Sequence, residues 1–237
     1  MDLGLSGRVA LVTAASKGLG RASAQALVGE GASVAINSRD PERLRETAAA
    51  LGDGVLALPA DVTDPDAPRR LVDATVERFG ALHALVANAG GPPKGRATDV
   101  DDDMLLAAVE ANLLTSVRLV RAALPHMRTA GWGRICLITS SAVKQPIPDL
   151  SASNTARTGL WGWAKTAAQD LIDDGITLNL ICPGLHSTDR VKELGFSGRM
   201  GDPADFGRVV AFLCSQPAGF ISGAALQVDG AGTLGLL

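Results

Sequence analysis

The stretch Thr13-Ala14-Ala15-Ser16-Lys17-Gly18-Leu19-Gly20 decides the fold of this chain. It follows a short apolar run rich in branched side chains and precedes a stretch of helical character that extends to Glu30. Gly18 and Gly20 would let backbone N–H groups approach a pyrophosphate at the start of that helix, where the helix dipole favours negative charge. Glycine turns are also common as plain turns, so the rest of the chain must distinguish the two interpretations.

Strand-like and helix-like segments alternate along the whole chain. The predicted strands are residues 8–13, 32–37, 55–59, 81–87, 134–139, 176–181 and 226–228. Predicted helices follow the glycine turn and begin at Pro41 with Asp40 as N-cap, and further ones cover residues 65–79, 99–128, 151–173 and 203–215. Apolar strands joined by crossovers of helix length predict one α/β domain over residues 1–237: a doubly wound parallel sheet of about seven strands, flanked by helices.

Composition and charge exclude several classes of partner. The net charge is −3 and aromatic residues make up 3% of the chain, which disfavours nucleic acid and anionic membrane surfaces. No apolar run is long enough to span a bilayer, and the N-terminus lacks a secretory signal pattern. Cys136, Cys182 and Cys214 are scattered in apolar runs, which predicts buried reduced thiols, no metal site and a cytoplasmic location.

Further motifs stand at the ends of the predicted strands or close to them. They are Asp61-Val62, Asn88-Ala89-Gly90, Asn112, Pro183-Gly184 with Thr188, Ile221-Ser222-Gly223 and Val228-Asp229-Gly230. In this order, over nearly the whole chain, they resemble the short-chain dehydrogenase/reductase family, and in particular its 3-oxoacyl-carrier-protein reductase-like members. Ala14 replaces the first glycine of the family's T-G-x-x-x-G-x-G turn.

The resemblance implies a Rossmann-like fold, a nicotinamide cofactor, a small-molecule substrate and a homodimer or homotetramer. It also implies the cofactor-binding residues Thr13, Ser16, Lys17, Gly18, Leu19, Gly20, Ser38, Arg39, Asp61, Val62, Asn88, Ala89, Gly90, Arg157, Pro183, Gly184 and Thr188.

The end of the second strand bears on which dinucleotide binds. A carboxylate there would hold the ribose 2′-OH of NAD(H) and repel a phosphate, but the strand ends Asn37-Ser38-Arg39. Arg39, Ser38 and Lys17 of the glycine turn suit a 2′-phosphate, which favours NADP(H) over NAD(H). The alternative is that Arg39 and Lys17 are simply solvated.

The family's catalytic Tyr-x-x-x-Lys motif is absent, because the chain contains no tyrosine. In the family the Tyr stands thirteen positions after the Ser that closes the fifth strand and thirty before the Pro of the P-G motif. Counting from Ser140 and from Pro183 gives Ser153 both times, and the Lys position is then Arg157. The resemblance makes Ser140, Ser153, Arg157 and Asn112 the candidate catalytic residues.

These replacements remove the usual proton donor. A phenol has a pKa of about 10, whereas a serine hydroxyl is far less acidic and Arg is effectively never deprotonated. Two substitute acids can be named: Lys144, four residues after Ser140, and His186, which follows Pro183-Gly184. Histidine is the residue type most often used as a general acid near neutral pH. Lys94 is a more distant candidate. The ordinary alternatives are surface lysines and a packed histidine.

Three functions remain open on the sequence. The first is an NADP(H)-dependent oxidoreductase that acts on a carbonyl, imine or related small molecule with a non-standard proton donor. The second is a non-redox lyase, isomerase or cyclase, and the third is a catalytically silent partner protein. A shortened lid near residues 189–201 would suit a bulky or carrier-bound substrate.

Overall fold

The computed structural model describes residues 1–91, 93–193, 195 and 198–235, with Arg190 described by its backbone alone. The strands are β1 (Val9–Val12), β2 (Ser33–Ser38), β3 (Leu56–Pro59), β4 (Ala84–Ala87), β5 (Gly133–Ile138), β6 (Ile176–Pro183) and β7 (Ala225–Val228). They form one sheet of seven strands in the order β3-β2-β1-β4-β5-β6-β7. Every neighbouring pair is parallel. The predicted α/β class and parallel sheet are confirmed.

The helices flank this sheet. They are α1 (Gly18–Gly29), α2 (Pro41–Leu51), α3 (Ala67–Phe79), α4 (Asp102–Val109), α5 (Thr115–Ala130), α6 (Ser151–Leu171), α7 (Asp189–Glu193) and α8 (Pro203–Leu213). Helix α2 begins as predicted, because Asp40 Oδ1 accepts hydrogen bonds from the backbone N–H groups of Glu42 and Arg43. Within the described part of the chain, none of the helices has the length and apolar character that a membrane span requires.

One predicted helix is divided in two. Residues 99–128 were expected to form a continuous helix, but a π-helical turn, Glu110–Leu114, separates α4 from α5. The hydroxyl of Thr115 donates to the carbonyl of Glu110, five residues earlier, at 3.0 Å. Such turns accommodate one extra residue in a helix and are frequent at functional sites. This one places Asn112 in its middle.

The sheet is buried on both faces, which explains why its strands are continuous apolar runs. Helices α3, α5 and α6 pack on one face and α1, α2 and α8 on the other. Along β1, Leu11 faces the first layer, while Ala10 and Val12 face the second. Gly207 of α8 allows close contact with α1, since a Cβ there would lie 2.3 Å from the carbonyl oxygen of Ala22.

Strand order fixes where a ligand would bind. From β1 the chain builds outward through β2 and β3, and it then returns to place β4 on the other side of β1. The crossover helices diverge at this switch point, and in open parallel sheets the resulting crevice at the carboxyl ends of the strands is the usual ligand site. Thr13 and Asn88, which follow β1 and β4, stand at this position.

The cysteines lie inside the fold. Cys136, Cys182 and Cys214 are all free and buried, in agreement with the sequence prediction. The sulfur atoms of Cys136 and Cys214 are 3.6 Å apart, and this contact together with burial holds the pKa of Cys136 well above its ordinary value. No group of three or more His, Cys, Asp or Glu side chains among the described residues is placed to hold a metal ion.

Candidate functional site

The glycine turn and the end of β4 are tied together at the switch point. The Thr13 hydroxyl donates to the backbone carbonyl of Asn88 at 2.7 Å and accepts from its N–H at 2.9 Å. The side-chain amide of Asn88 in turn donates to the carbonyl of Ala14 at 3.2 Å. Ala14 has a φ of 47°, so the position where the related family has glycine adopts a left-handed backbone here too. The turn is therefore fixed in shape before any ligand binds.

Gly20 stands where a side chain would not fit. A Cβ on Gly20 would lie 2.4 Å from the carbonyl oxygen of Ala14 and 2.9 Å from Nδ2 of Asn88. Gly18 has a φ of 59°, and a Cβ there would lie 3.6 Å from the methyl group of Thr188. The segment after β6 thus faces the glycine turn. The first turn of α1 lacks a side-chain N-cap, which leaves its N–H groups available to an anion.

Charged side chains stand just after β2 and β3, where the adenosine part of the dinucleotide was predicted to bind. A guanidinium nitrogen of Arg39 lies 3.9 Å from a carboxylate oxygen of Asp61, and the Arg39 side chain is 78% exposed. The pKa of Asp61 is lowered, chiefly because its carboxylate accepts the backbone N–H of Thr63, with the Thr63 hydroxyl and Arg39 adding to the effect. Ser38 donates to the carbonyl of Asp40 at 3.2 Å. The structure therefore places Arg39 beside Asp61.

Lys17 faces a separate surface groove of about 490 Å³. Three helices and the glycine turn enclose it through Ser16, Lys17, Arg21, Arg43, Glu46, Thr47, Ala50, Asp189 and Glu193. The Thr47 hydroxyl donates to the carbonyl of Ser16 at 2.9 Å, which joins α2 to the turn. Ser16 and Lys17 thus form the border between the crevice and this groove.

The remaining predicted cofactor residues line the rim of the crevice or support it. Leu19 packs into the α1 side of the core, and the carbonyl of Val62 accepts a bond from Thr115 at 3.3 Å. Ala89 and Gly90 follow Asn88 directly. Pro183 pairs with Val228 in the sheet, and the N–H of Gly184 donates to the Val228 carbonyl at 3.0 Å.

Ser153 and Arg157 form a buried pair on the first turns of α6. Their exposed fractions are 6% and 7%, and Nε of Arg157 donates to Oγ of Ser153 at 3.2 Å. A second guanidinium nitrogen donates to the carbonyl of Ile138, at the end of β5, at 3.3 Å. Arg157 thus holds the serine and the strand end together. Residues four apart in a helix lie on the same face, which is why the two side chains meet.

Ser140 and Asn112 complete the predicted catalytic set. Ser140 follows β5, and its Oγ accepts from the N–H of Ala142 at 3.1 Å, which caps the short 3₁₀ turn Ser141–Val143. Asn112 is 2% exposed, and neither of its side-chain polar atoms has a hydrogen-bond partner among the described residues. Buried amides are almost always satisfied, so this one points to a water or ligand atom in its vicinity.

The two substitute acids have different surroundings. The ammonium of Lys144 lies 4.2 Å from the centre of the Trp161 ring, one helical turn beyond Arg157. Burial raises the pKa of the Cys182 thiol, and Lys144 and Arg157 are both close enough to oppose that shift electrostatically. Lys144 therefore lies on the same side of the sheet as the Ser153 and Arg157 pair. Lys94 is exposed.

His186 lies on the other side. It is 4% exposed, its ring meets Phe206 edge-on at 5.2 Å, and Nδ1 is 3.1 Å from the carbonyl oxygen of Gly184. A Cβ on Gly201 would lie 2.9 Å from the ring. Phe206 belongs to the α8 layer, whereas Ser153 is on α6 in the opposite layer. This placement favours packing over proton transfer, and catalysis by His186 stays a prediction.

One contact was not anticipated from the sequence. Asn154, next to Ser153, uses its side-chain amide to bond both backbone groups of Ile147 in the loop after Ser140. An asparagine in the first turn of a helix carries no signal that identifies such a long-range partner. The predicted short lid contains α7, but residues 194, 196 and 197 lie outside the described residues.

Comparison with known proteins gives matches over nearly the whole chain. A family model described as enoyl-(acyl carrier protein) reductase matches residues 13–233. Dehydrogenase/reductase SDR family member 4 of Homo sapiens is 32% identical over 243 residues, which span 95% of this chain and 87% of that protein. The 3-oxoacyl-(acyl-carrier-protein) reductase FabG of Vibrio cholerae is 31% identical over 241 residues, which span 96% and 98%. L-sorbose reductase from Gluconobacter frateurii, solved with NADPH and L-sorbose, has a TM-score of 0.93 at 32% identity, with 100% of both chains covered.

Proposed function

The chain belongs to the short-chain dehydrogenase/reductase family, and from this premise we propose that it is an NADP(H)-dependent oxidoreductase with an altered proton donor. Its substrate would be a carbonyl, an imine or a related small molecule, including bulky or carrier-bound ones. The observation that carries the proposal is Gly20, whose missing side chain leaves room for the turn that would hold a pyrophosphate.

Residues around the crevice fit such a cofactor. The glycine turn, Asn88 and Thr188 surround the place for the pyrophosphate, and the buried Asn112 amide has unused hydrogen-bonding capacity. NADP(H) bound there would supply or accept a hydride. Arg157 would bind the ribose next to the nicotinamide through a guanidinium group that stays charged at all relevant pH values.

The preference for NADP(H) rests on charge. Helix α2 follows a strand that ends in Ser38 and Arg39 rather than in a carboxylate, and Lys17 adds a second cation in the glycine turn, beside the groove that it shares with α2. The NADPH-bound L-sorbose reductase is a structural relative with this phosphorylated dinucleotide. We expect NADPH to bind more tightly than NADH, and we expect Arg39→Ala together with Lys17→Ala to remove most of that difference. Equal affinity of the wild-type protein for both dinucleotides would contradict this preference.

The chemistry would divide between the two serines and two cations. Ser140 and Ser153 would orient the substrate oxygen or nitrogen, and the positive charge of Arg157 would stabilise negative charge that develops on that atom during reduction. Lys144 would give the proton to that atom, so that the carbon gains a hydride and the heteroatom a proton. A substrate that is already cationic, such as an iminium ion, would need little help from an acid.

The decisive experiment separates cofactor binding from turnover. NADPH binding is measured by calorimetry for the wild type, for Gly20→Ala, and for the control Gly29→Ala, whose Cβ would enter open space in the same helix. We expect Gly20→Ala to abolish binding and Gly29→Ala to retain it. Oxidation of NADPH is then followed in the presence of ketones, imines and enones. The same reactions are repeated with NADPH that is deuterated on its nicotinamide ring. Tight binding without NADPH oxidation by any substrate would contradict the redox proposal.

The second candidate is a non-redox lyase, isomerase or cyclase that uses the same pocket. Arg157 favours it, because an arginine is a poor proton relay where the family has lysine. Substrate turnover without any change in nicotinamide would support this alternative. Transfer of deuterium from labelled NADPH into product would exclude it.

The remaining candidate is a silent partner that folds and assembles without turnover. It predicts that Ser140→Ala changes no measurable function, whereas the oxidoreductase proposal predicts loss of activity in this variant.

By analogy with the family, we propose a homodimer or homotetramer located in the cytoplasm. The buried, unpaired thiols fit a reducing compartment.

A further inference from the structure

The segment that carries the two replacements also holds a link between two halves of the candidate active site. Asn154 follows Ser153 in α6 and is partly buried. Its Nδ2 donates to the carbonyl of Ile147 at 3.0 Å, and its Oδ1 accepts from the N–H of the same residue at 3.4 Å. One side-chain amide thus bonds both backbone groups of a loop residue, whose carbonyl also accepts the N–H of Leu150 at 3.2 Å.

The loop in question, residues 140–150, carries Ser140 and Lys144. Other hydrogen bonds hold the loop on either side of Ile147. The N–H of Gly95 donates to the carbonyl of Asp149 at 2.7 Å, and the hydroxyl of Ser151 donates to the carbonyl of Gly95 at 2.8 Å. Towards its start, Gln145 accepts the N–H of Leu234 at 2.9 Å. The contact made by Asn154 differs from these because it joins the loop to the helical turn of Ser153.

This difference matters for chemistry. Ser140 and Lys144 stand on the loop, while Ser153 and Arg157 stand on α6, so the distance across the substrate position depends on how the two elements are held. We propose that Asn154 is a positioning residue whose amide holds the loop of Ser140 and Lys144 at a fixed distance from Ser153. The inference rests on the proposed function, since it assigns the loop and the helix to one active site.

A fixed loop has a measurable value in catalysis. Displacement of a catalytic group by about 1 Å can reduce the rate by about 100-fold, because the reacting groups are then no longer held in the geometry that the reaction requires. Under the proposed function, cofactor binding would depend on the glycine turn, Asn88 and Arg157, whereas the Asn154 amide bonds Ile147 in the loop. Loss of the Asn154 amide should therefore reduce kcat while the affinity for NADPH stays the same.

The test compares Asn154→Ala, Asn154→Asp and the control Thr155→Val. Asn154→Ala removes both bonds, and Asn154→Asp keeps an acceptor for the Ile147 N–H but loses the donor. The Thr155 hydroxyl is exposed and bonds the carbonyl of Ser151 in its own helix. For each variant, hydrogen exchange of peptides within residues 140–150, the dissociation constant for NADPH, kcat and KM are measured.

We expect exchange in the loop to accelerate at least about tenfold and kcat to fall about 10- to 100-fold in Asn154→Ala, with NADPH affinity within twofold of wild type. Asn154→Asp should be intermediate between wild type and Asn154→Ala in loop exchange and in kcat. It also tests the inference if Asn154→Ala fails to fold. Thr155→Val should match wild type. Unchanged loop exchange, or faster exchange with unchanged kcat, would overturn the inference. A wild-type protein that turns over no substrate would instead overturn the proposed function.

Discussion

Two buried arginines, at opposite ends of the sheet, have similar exposure and different surroundings. Arg134, at the amino end of β5, is 3% exposed, and it donates to the carbonyls of Ser215, Gly133 and Gly175 at 2.8–3.2 Å. Its guanidinium lies 4.3 Å from the centre of the Trp132 ring, and Arg8 lies 4.2 Å from the same ring. Burial, as the main cause, lowers the pKa of Arg134.

Arg157, at the carboxyl end, donates to a serine hydroxyl as well as to a strand carbonyl. A backbone carbonyl can only accept hydrogen bonds, whereas a hydroxyl that accepts one from Arg157 can still donate its own proton to a ligand. The comparison indicates that burial of a charge does not by itself identify a functional site. The hydrogen-bond partner of the buried guanidinium has to be considered as well, because it determines whether the charge can influence a ligand or only stabilises the fold.

The largest effect is expected at the amino end. Arg134→Ala removes the donor for three carbonyls and one cation stacked on Trp132, so we expect the free energy of unfolding to fall by about 3 kcal/mol. Urea unfolding measures it, with Arg128→Ala as the control, since Arg128 forms an exposed ion pair with Asp174. If Arg134→Ala loses no more unfolding free energy than Arg128→Ala, Arg134 is not a structural arginine in the sense described above. NADPH affinity of the folded protein should not change.

The next effect is expected at the carboxyl end. Arg157→Met should lower kcat about 10- to 100-fold, because a charge-assisted hydrogen bond contributes about 1.5–3 kcal/mol. Its free energy of unfolding should fall by less than that of Arg134→Ala. Arg157→Lys keeps the charge without the planar fork and should be intermediate in kcat. If Arg157→Met loses as much stability as Arg134→Ala and keeps full activity, Arg157 is a second structural arginine.

A pH dependence should distinguish the two ends further. Nδ1 of His83 accepts the N–H of Val9 at 3.0 Å, so the folded state favours the neutral ring. Burial, and then Arg8, lowers the pKa of His83 below its ordinary 6.5. The unfolded chain binds the proton more readily, so stability should fall as the pH drops below about 6.5. Urea midpoints at several pH values should flatten in this range in His83→Gln, and an unaltered profile would exclude His83 as the cause.

The smallest effect concerns two hydroxyls beside Arg134. The Oγ of Ser215 and the Oγ1 of Thr177 are buried, and neither has a partner among the described residues. Ser215→Ala removes a polar atom that gains nothing from burial, so unfolding free energy should stay unchanged or rise by about 1 kcal/mol at most. A clear loss of stability on urea unfolding would indicate that a buried water bridges these hydroxyls and contributes to the stability of the amino end.

Much of the fold was predictable because it depends on local signals. The strand that begins at Ile176 and the helices that begin at Pro41 and Ser151 start where the sequence placed them. The division of residues 99–128 was not predictable, since a π-helical turn depends on tertiary packing rather than on periodicity. Register counting identified Ser153 and Arg157 as the residues at the two motif positions, and in the structure they are hydrogen-bonded to each other.

Side-chain direction was the part that sequence could not supply. The sequence named both His186 and Lys144 as substitute acids, yet the His186 ring packs on Phe206 and the Lys144 ammonium stacks on Trp161. Both outcomes depend on residues distant in sequence. The Asn154 contact with Ile147 and the stack of Arg134 on Trp132 depend on tertiary structure in the same way. Catalytic roles of individual residues therefore stay predictions.

The three internal thiols provide a built-in reporter of structural opening. Cys136 and Cys182 lie on the neighbouring strands β5 and β6, and Cys214 lies just beyond α8. A thiol reagent can label each sulfur only after the surrounding structure has opened. Mass spectrometry of labelled peptides would give three opening free energies from the native protein without added probes. It would reveal whether the sheet and the α8 layer separate as one unit or in sequence.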